Sequence, residues 1–519
     1  MSGTSVTTAP ADAELRRSIA ATLLPGFVGT TLPAWLEARL RAGLGGVCLF
    51  GQNIASIQQL RALTGAIRAA NPDAVIAIDE EGGDVTRLHY ATGSPFPGNA
   101  VLGRLDDTVL TERAGRRVGE ELRSAGVTLD FAPDVDINSN PDNPVIGVRS
   151  FGASPELVAR HAAAWTRGLQ STGIAAAAKH FPGHGDTAAD SHLELPVVDV
   201  PVEVLREREL VPFRAAVEAG ARAVMTSHIL LPQLDPELPA TMSPAILGML
   251  RDELGFEGVI VTDALDMHGA SGERGIPEAA VLALAAGCDL LCIGTENTDA
   301  QLQAIEDAIA DAVAASRLTP ARLADAAQRV HALSASVESA PVQSAPVQSA
   351  PVQSAQTARD TPEDRAVSAD SVVGAFDVSE TGREWVRAHG GAAYSVVRVE
   401  TVANIAVGVA PWGPFAAAEG APRDPAAAAF AAQPVVVLTE GADSALALDA
   451  SLPVLVVGKD LHRHAFARAA IDRLRAEREN VVVVDMGWPA PDRAYADIAT
   501  FGASRLVGQA LLELLGRGS

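Results

Sequence analysis

Eight short apolar runs, separated by helical patterns, dominate the first 335 residues of the chain. The runs are continuously apolar rather than alternating, as expected for parallel strands that are covered on both faces. About eight strand–helix units over this length predict a (β/α)8 barrel of the TIM type, with a doubly wound open sheet as the alternative. The runs span residues 23–28, 47–50, 75–79, 128–133, 174–180, 223–228, 259–263 and 290–294, and helical patterns such as 155–169 and 202–219 lie between them.

A pentad repeat follows this region. Between Ser339 and Ser354 the pentad Ser-Ala-Pro-Val-Gln occurs three times, without an aromatic residue. Such a segment cannot bury enough surface to offset its ordering entropy, so we expect an extended linker. The chain is therefore predicted to consist of a barrel domain over residues 1–335, a linker over 336–363 and a C-terminal domain over 364–519.

The C-terminal part repeats the strand–helix pattern on a smaller scale. Apolar runs at 434–438, 453–458 and 481–486 are predicted to be parallel strands, with helices at 462–476 and 503–515. The predicted fold class is thus α/β, a barrel followed by a smaller α/β sandwich. We expect the sandwich to stabilise the barrel by packing against it; the alternative is that it contributes to the pocket or to a partner surface.

Charge and cysteine content narrow the possible partners and compartments. The chain has 519 residues, 40 Lys and Arg against 64 Asp and Glu, and a net charge of -24. Such a field repels nucleic acid and anionic membranes, so neither is an expected partner. The cysteines Cys48, Cys288 and Cys292 lie in apolar runs and are predicted to be reduced core residues. With no leader pattern in residues 1–17 and no apolar run of about 18 residues, a cytoplasmic location is expected.

Polar residues recur where the predicted barrel strands end. Asp79, the pair Lys179-His180, His228 and Asp263 each close a run, and Asp134 and Asp136 follow another. A lone Asp after a strand is usually a helix cap or turn residue. Several strands ending in this way instead favour an active site, because barrel active sites form at the C-terminal ends of the strands.

Two groups could supply acid–base and nucleophilic chemistry there. Asp263, at a strand end, could attack an anomeric carbon, although a helix cap is an equally good explanation of that segment alone. The loop after Lys179 is rich in His and Asp, which fits either a metal site or a hydrogen-bonded acid–base pair. Its spacing matches no common zinc pattern, so we expect neither a metal nor another cofactor.

The stretch from Lys179 to Thr187, Lys-His-Phe-Pro-Gly-His-Gly-Asp-Thr, closed by Asp190-Ser191-His192, resembles glycoside hydrolase family 3 in its β-N-acetylglucosaminidase branch. Every defined position of that motif matches. The resemblance extends from about residue 26 to about 329 and is looser beyond. Further matches are Gly45-Gly46-Val47 with Phe50 and Asn53, Ile78-Asp79 with Glu81-Gly82-Gly83, Phe131-Ala132-Pro133 with Asp136, Arg149-Ser150-Phe151-Gly152, Met225-Thr226-Ser227-His228 and Thr262-Asp263.

The resemblance implies a role for each matching residue. Asp263 would be the nucleophile, and His192 the acid/base with Asp190 as its paired carboxylate. The residues that would hold the sugar hydroxyls are Asp79, Arg149, Lys179 and His180, with His228 lining the pocket. His184 is expected to order the loop rather than to touch substrate. Glu80 and Asp84 replace the Gln and Arg of many relatives and are expected to add negative charge near the pocket mouth.

These roles imply a retaining exo-β-N-acetylglucosaminidase that acts on small saccharides in the recycling of cell-wall fragments or on chitin-derived sugars. The N-acetyl preference comes from the branch alone. A phosphorylase is a close rival, because a neutral imidazole acid/base would not repel inorganic phosphate as a carboxylate would. The sequence also leaves open a β-glucosidase and a non-catalytic sugar-binding protein. It does not indicate the oligomeric state.

Overall fold

The computed structural model describes residues 8–189, 195–337, 367–441 and 446–517. Nearly all of the predicted linker, 336–363, lies outside these residues, as do the predicted acid/base residues Asp190 and His192. The domain boundaries therefore stay a prediction. Within the described residues, no helix is both long enough and apolar enough to cross a membrane.

The first part of the chain forms the predicted barrel of eight parallel strands. A six-stranded sheet runs in the order β2-β3-β4-β5-β6-β7, and β1 pairs with β8. A parallel bridge from Val261 to Leu290 joins β7 to the start of β8. On the other side, the Gly45 amide before β2 donates to the Ala20 carbonyl before β1 at 2.9 Å. The strands are β1 (Leu23–Pro25), β2 (Gly46–Leu49), β3 (Val75–Ile78), β4 (Leu129–Asp130), β5 (Ala175–Phe181), β6 (Ala223–Thr226), β7 (Val259–Val261) and β8 (Leu291–Gly294).

Helices follow the strands on the outside, and several begin at side-chain caps. Ser154 accepts from the Leu157 amide, with Pro155 in the first turn, so the helix predicted at 155–169 begins as expected. The helix predicted at 202–219 is interrupted by a π-helical turn at Leu205–Glu209. The helices are α1 (Thr8–Ala21), α2 (Ala34–Arg41), α3 (Ile57–Ala70), α4 (Asn99–Leu105), α5 (Thr108–Ala125), α6 (Pro155–Gln170), α7 (Val202–Val204), α8 (Leu210–Glu218), α9 (Pro244–Gly248), α10 (His268–Ser271), α11 (Gly275–Ala286), α12 (Asp299–Ala314) and α13 (Pro320–Ser336).

Both faces of the barrel strands are buried, which explains their continuous hydrophobicity. One apolar cluster fills the barrel interior with small and medium side chains, among them Ala175, Ala177 and Val259. A second, larger cluster lies between the strands and the helices. Cys48, Cys288 and Cys292 are buried free thiols, as predicted.

The C-terminal part is built around a second six-stranded sheet in the order β11-β10-β12-β13-β14-β9, in which only β9 is antiparallel. Its predicted strands are confirmed, but three further strands, β9, β10 and β14, were not predicted. The elements are α14 (Ala369–Val373), β9 (Asp377–Val378), α15 (Glu380–His389), β10 (Ser395–Val399), α16 (Gly413–Gly420), α17 (Pro425–Ala431), β11 (Val435–Leu438), β12 (Val454–Gly458), α18 (Ala465–Glu477), β13 (Val481–Asp485), β14 (Ile498–Ala499) and α19 (Arg505–Gly516).

Candidate active site

A cavity of about 160 Å³ opens at the C-terminal ends of the barrel strands. Of the predicted site residues, five line it: Asp79, Arg149, Lys179, His180 and Asp263. A larger cavity of about 420 Å³ lies beside α5, away from the strand ends. Because barrel chemistry is placed at the C-terminal strand ends, the smaller cavity is the candidate active site.

The fold brings these side chains together from distant parts of the sequence. Asp79 directly follows β3, Lys179 and His180 lie in β5, and Asp263 comes two residues after β7. Arg149 ends a short 3-10 turn, Gly147–Arg149. Parallel strands place their carboxyl ends at one rim, so residues that are far apart in sequence can share one cavity.

Glu81 is the hub of the charged wall of this cavity. Its carboxylate accepts from Arg149 Nε at 2.9 Å and Nη2 at 2.7 Å, a bidentate pair. Lys179 Nζ lies 2.8 Å from Glu81 Oε1 and donates to Asp79 Oδ1 at 2.6 Å. The sequence motif included Glu81 without assigning it a role. Its position shortly beyond a strand end was the available signal.

Burial and pairing together fix the charges of this wall. Burial alone would raise the pKa of Glu81, but Arg149 and Lys179 hold it below its ordinary value. Conversely, burial would lower the pKa of Lys179, but Asp79 and Glu81 hold it above its ordinary value. The lysine side chain is only 1% exposed. The wall therefore presents fixed cationic donors beside a partly exposed acceptor, Asp79, which suits sugar hydroxyls.

The hydrogen bonds of His180 define its tautomer. Its Nδ1 lies 2.7 Å from Asp136 Oδ2, and its Nε2 lies 3.3 Å from Arg149 Nη2. A guanidinium only donates, so Nε2 accepts the hydrogen bond from Arg149. Nδ1 therefore carries the ring proton and donates a hydrogen bond to Asp136. Burial would raise the pKa of Asp136, but His180 holds it below its ordinary value. The ring is thus oriented by Asp136 toward the cavity.

Asp134, Asp136 and His180 offer ligand atoms within 4.8 Å of one another, a grouping that could hold a metal ion. The Asp136 and His180 atoms already bond each other, and Arg149 Nη2 lies 3.5 Å from Asp134 Oδ2. Burial, reinforced by Asp136, also raises the pKa of Asp134 well above its ordinary value. The guanidinium of Arg149 repels a metal cation at this grouping, and the Asp136 and His180 atoms already bond each other, so the grouping fits a hydrogen-bonded support for His180 better.

His184 also lines the cavity, contrary to the expectation that it only orders the loop. It does order the loop, since its Nδ1 lies 3.0 Å from Thr187 Oγ1 and its amide donates to Asp136 Oδ1 at 2.7 Å. Burial lowers the pKa of His184 to about 4, so the ring is neutral at pH 7. Nothing in the sequence indicates that the ring turns inward between its two glycines.

His228, predicted to line the pocket, is fully buried and is not among the residues that line the cavity. Its Nδ1 lies 2.9 Å from Thr241 Oγ1 and its Nε2 lies 3.0 Å from the Ala264 carbonyl. It therefore supports the backbone next to Asp263 instead of contacting the cavity. Asp263 itself accepts from the Ala264 amide at 2.8 Å, and its side chain is partly exposed in the cavity.

The stem of the loop that leads to Asp190 and His192 is held by a pair that sequence reasoning missed. Arg208 bonds both Asp186 in the loop and the buried Glu209. Glu209 lies against Gly183, where a Cβ would come within 2.8 Å of its carboxylate. Gly183, at φ +129°, permits this approach. The π-helical turn that interrupts the helix carries both Arg208 and Glu209.

Glu80 and Asp84, which were expected to add negative charge near the pocket mouth, do not line the cavity. Glu80 is fully buried, and its Oε2 accepts from the Arg87 and Leu88 amides at 2.7 and 2.8 Å. Asp84 accepts from the Ala503 amide of the C-terminal part at 2.7 Å. Both carboxylates satisfy backbone donors, which side-chain type alone could not reveal.

The C-terminal part does more than pack against the barrel, because Ile405 and Ala406 line the cavity. Arg87 Nη2 donates to the Ala406 carbonyl at 2.8 Å. The prediction that this part only stabilises the barrel is wrong, and the alternative, a contribution to the pocket, is correct.

Residues 34–333 match the glycosyl hydrolase family 3 N-terminal domain. The chain belongs to glycosyl hydrolase family 3. This match confirms the family resemblance of the motif between Lys179 and His192. The family 3 domain covers the whole barrel except β1 and the first helix.

Named relatives of this family 3 chain agree with that assignment. It is 40% identical over 296 residues to a beta-hexosaminidase of Stenotrophomonas maltophilia, covering 55% of this chain and 87% of the relative. It is 36% identical over 336 residues to beta-hexosaminidase A of Pseudoalteromonas piscicida, covering 59% of this chain. The matched region spans only 56% of the length of that second relative.

A solved structure matches almost the whole chain. The glycoside hydrolase family 3 beta-N-acetylglucosaminidase of Paenibacillus sp. FPU-7 is 30% identical, with a TM-score of 0.79 and 97% of each chain covered. A beta-glucoside phosphorylase is 18% identical with a TM-score of 0.73, and therefore shares the fold alone. The likeness to these two structures thus extends over both parts of this family 3 chain, the barrel and the second α/β unit.

Proposed function

We propose that this chain is a retaining exo-β-N-acetylglucosaminidase that removes terminal β-linked N-acetylglucosamine from small saccharides. The observation that carries the proposal is the placement of Asp263 in one cavity with Asp79, Arg149, Lys179 and His180. A carboxylate facing a wall of sugar-type donors and acceptors is what a retaining glycosidase needs on one side of its substrate. The names of the relatives support the N-acetylglucosamine part of the proposal.

In the first step Asp263 attacks the anomeric carbon and forms a glycosyl ester, while the bond to the leaving oxygen breaks. His192 gives its proton to that oxygen, and Asp190 favours the charged imidazolium that can do so. In the second step His192 takes a proton from water, whose oxygen attacks the anomeric carbon and releases the Asp263 carboxylate. Asp190 and His192 lie outside the described residues, and their roles come from the motif.

Asp79, Arg149, Lys179 and His180 hold the hydroxyls of the terminal sugar in this proposal. Because the wall is charged and buried, a sugar that leaves one of these groups without a hydrogen-bond partner should bind much more weakly. The three reduced, buried cysteines agree with action in a reducing compartment such as the cytoplasm, in the recycling of cell-wall or chitin-derived saccharides.

Product analysis tests the proposal. The β-1,4-linked disaccharide of N-acetylglucosamine is incubated in phosphate-free buffer and in phosphate, and the first-formed anomer is followed by NMR. We expect free β-N-acetylglucosamine at the same rate in both buffers. A sugar phosphate would favour the phosphorylase, α-configured product would exclude a retaining mechanism, and faster turnover of a glucoside would favour the β-glucosidase.

A further inference from the structure

The cavity has a second wall, formed by the C-terminal part. Residues 402–410, here called the tail turn, follow β10 and place Ile405 and Ala406 at the cavity. The tail turn faces the same space as Asp79, Arg149 and Asp263. It takes no part in the bond-making and proton-transfer steps of the proposed reaction.

The tail turn is fixed to the barrel at several points. Asn404 Nδ2 donates to the Pro144 and Val145 carbonyls at 2.9 and 3.1 Å. The Val145 carbonyl also accepts from Arg149 Nη1 at 3.2 Å. Farther along, the Val409 amide donates to Tyr90 Oη at 3.2 Å. The tail turn is thus held against the loop that carries Arg149. Its position is therefore fixed relative to the barrel wall, the charged wall of the cavity formed by Asp79, Glu81, Arg149, Lys179 and His180.

The chemistry of the tail turn is the opposite of that of the barrel wall. Its sequence, Val-Ala-Asn-Ile-Ala-Val-Gly-Val-Ala, contains no charge and no hydroxyl group. Of the eight large hydrophobic side chains exposed among the described residues, three lie here: Val402 at 86%, Ile405 at 52% and Val409 at 78%. Of these three, Ile405 lines the cavity, and an exposed apolar side chain at that place is available to a bound ligand.

We propose that the tail turn forms a binding site for the leaving group of the substrate, and that it selects a neutral group with an apolar face, such as a second sugar ring. This inference rests on the proposed function. The terminal sugar occupies the charged barrel wall, so the leaving group points toward the cavity mouth, where Ile405 lies. A pyranose ring can set its C–H face on Ile405, and that contact removes apolar surface from water.

The tail turn also disfavours an anionic leaving group. The tail turn offers no cation, and Arg87, which contacts it, donates to the Ala406 carbonyl and lies 3.9 Å from Asp79. The chain as a whole carries a net charge of -24. The neutral disaccharide of N-acetylglucosamine should therefore be a better substrate than the analogue whose second sugar carries a lactyl carboxylate.

The test uses the full chain and two variants, Ile405→Ser and Val437→Ser. Val437 is a matched control, since it is 53% exposed but lies on the edge strand β11 and does not line the cavity. The substrates are the neutral disaccharide, its lactyl analogue and methyl β-N-acetylglucosaminide, which has almost no leaving group to contact. We expect Ile405→Ser to lower kcat/KM for the neutral disaccharide roughly tenfold and to leave the methyl glycoside unchanged. Val437→Ser should leave kcat/KM unchanged for both the neutral disaccharide and the methyl glycoside.

Several outcomes would overturn the inference. An equal loss on the disaccharide and the methyl glycoside would mean that Ile405 acts on the cavity as a whole. No loss, or a wild-type preference for the lactyl analogue, would mean that the tail turn does not select the leaving group. If the wild-type chain cleaves none of the three substrates, the proposed function itself is wrong and the inference falls with it.

Discussion

The two walls of the cavity differ in charge, burial and origin. The barrel wall consists of buried ions that pair with one another, with Glu81 bonded to both Arg149 and Lys179. The tail turn is uncharged and leaves Ile405 half exposed. Removing one partner of a buried ion pair costs about 3–5 kcal/mol, whereas an exposed apolar contact contributes about 1 kcal/mol. The barrel wall should therefore decide whether the site works, and the tail turn how well it accepts a given leaving group.

The largest effect is expected from the nucleophile. Replacement Asp263→Ala should lower kcat on an aryl N-acetylglucosaminide by about 10⁴-fold or more, because the covalent step is lost. Asp266→Ala is the matched control, since Asp266 is an exposed carboxylate that lines the same cavity. A comparable loss in both variants, or a fully active Asp263→Ala, would contradict the assignment.

The hub of the barrel wall should be the next most sensitive position. Glu81→Gln keeps the shape but leaves Arg149 and Lys179 buried without their shared carboxylate. We expect the free energy of unfolding to fall by about 3–5 kcal/mol, measured by urea denaturation. Glu278→Gln removes a partly exposed partner of Arg317 and should cost less than about 1 kcal/mol. If the free energy of unfolding falls by the same amount in both variants, the ion pairs of the barrel wall are no more important for stability than a pair at the surface.

Glu209 and His184, two buried groups beside the loop stem, should change the free energy of unfolding with pH in opposite directions. Burial raises the pKa of Glu209 from 4.5 to about 7, so its contribution to stability is complete below pH 4.5 and is lost as the pH rises to about 7. The loss amounts to about 3 kcal/mol. Glu209→Gln should flatten this part of the stability curve, which chemical denaturation at several pH values would show.

His184 provides the comparison of opposite sign. Burial lowers its pKa from 6.5 to about 4, so stability is complete above pH 6.5 and is lost as the pH falls to about 4. His184→Gln should flatten the acidic part of the same curve. Should both variants shift the curve uniformly at all pH values, neither group titrates as described.

The smallest effect is expected at the tail turn. Asn404→Ala removes two hydrogen bonds to the barrel. It should lower kcat/KM for the neutral disaccharide about fivefold, the equivalent of about 1 kcal/mol for one net hydrogen bond. Gln433→Ala is the control, because Gln433 donates to the Ala429 carbonyl at 3.1 Å and the Ala392 carbonyl at 3.4 Å, both in the C-terminal part. A tenfold or larger loss, equal on the methyl glycoside, would place the tail turn with the barrel wall.

The same comparison shows how much the sequence could predict. Barrel strands buried on both faces leave a continuous apolar signal, and their polar ends mark the cavity, so Asp79, Lys179 and Asp263 were predicted to lie together. The roles of Glu81 and His184 depend on where a side chain turns after the strand, which one sequence does not encode locally. The tail turn was not predicted at all. In the sequence its apolar residues look like residues of a hydrophobic core, and only the long-range contacts of Asn404 place them at the cavity.

Strand β10 was missed for a related reason. Ser395–Val399 is interrupted by Arg398, whereas each of the three predicted strands of that sheet contains four consecutive aliphatic residues. The guanidinium of Arg398 pairs with Glu400 and lies 4.3 Å from the ring centre of Phe415, so an ion pair and a cation–π contact together accommodate the charge. The contact with Phe415 is visible only when helix α16 is in place.

The central claim, that Asp263 forms the covalent intermediate, is tested most directly by mass spectrometry of the intact chain. A fluorinated N-acetylglucosaminyl fluoride that reacts quickly and is released slowly should add one sugar to the wild-type chain, located on Asp263 after proteolysis. The Asp263→Asn variant should carry no adduct. A sugar found on another residue, or steady turnover through inversion with no adduct, would contradict the account.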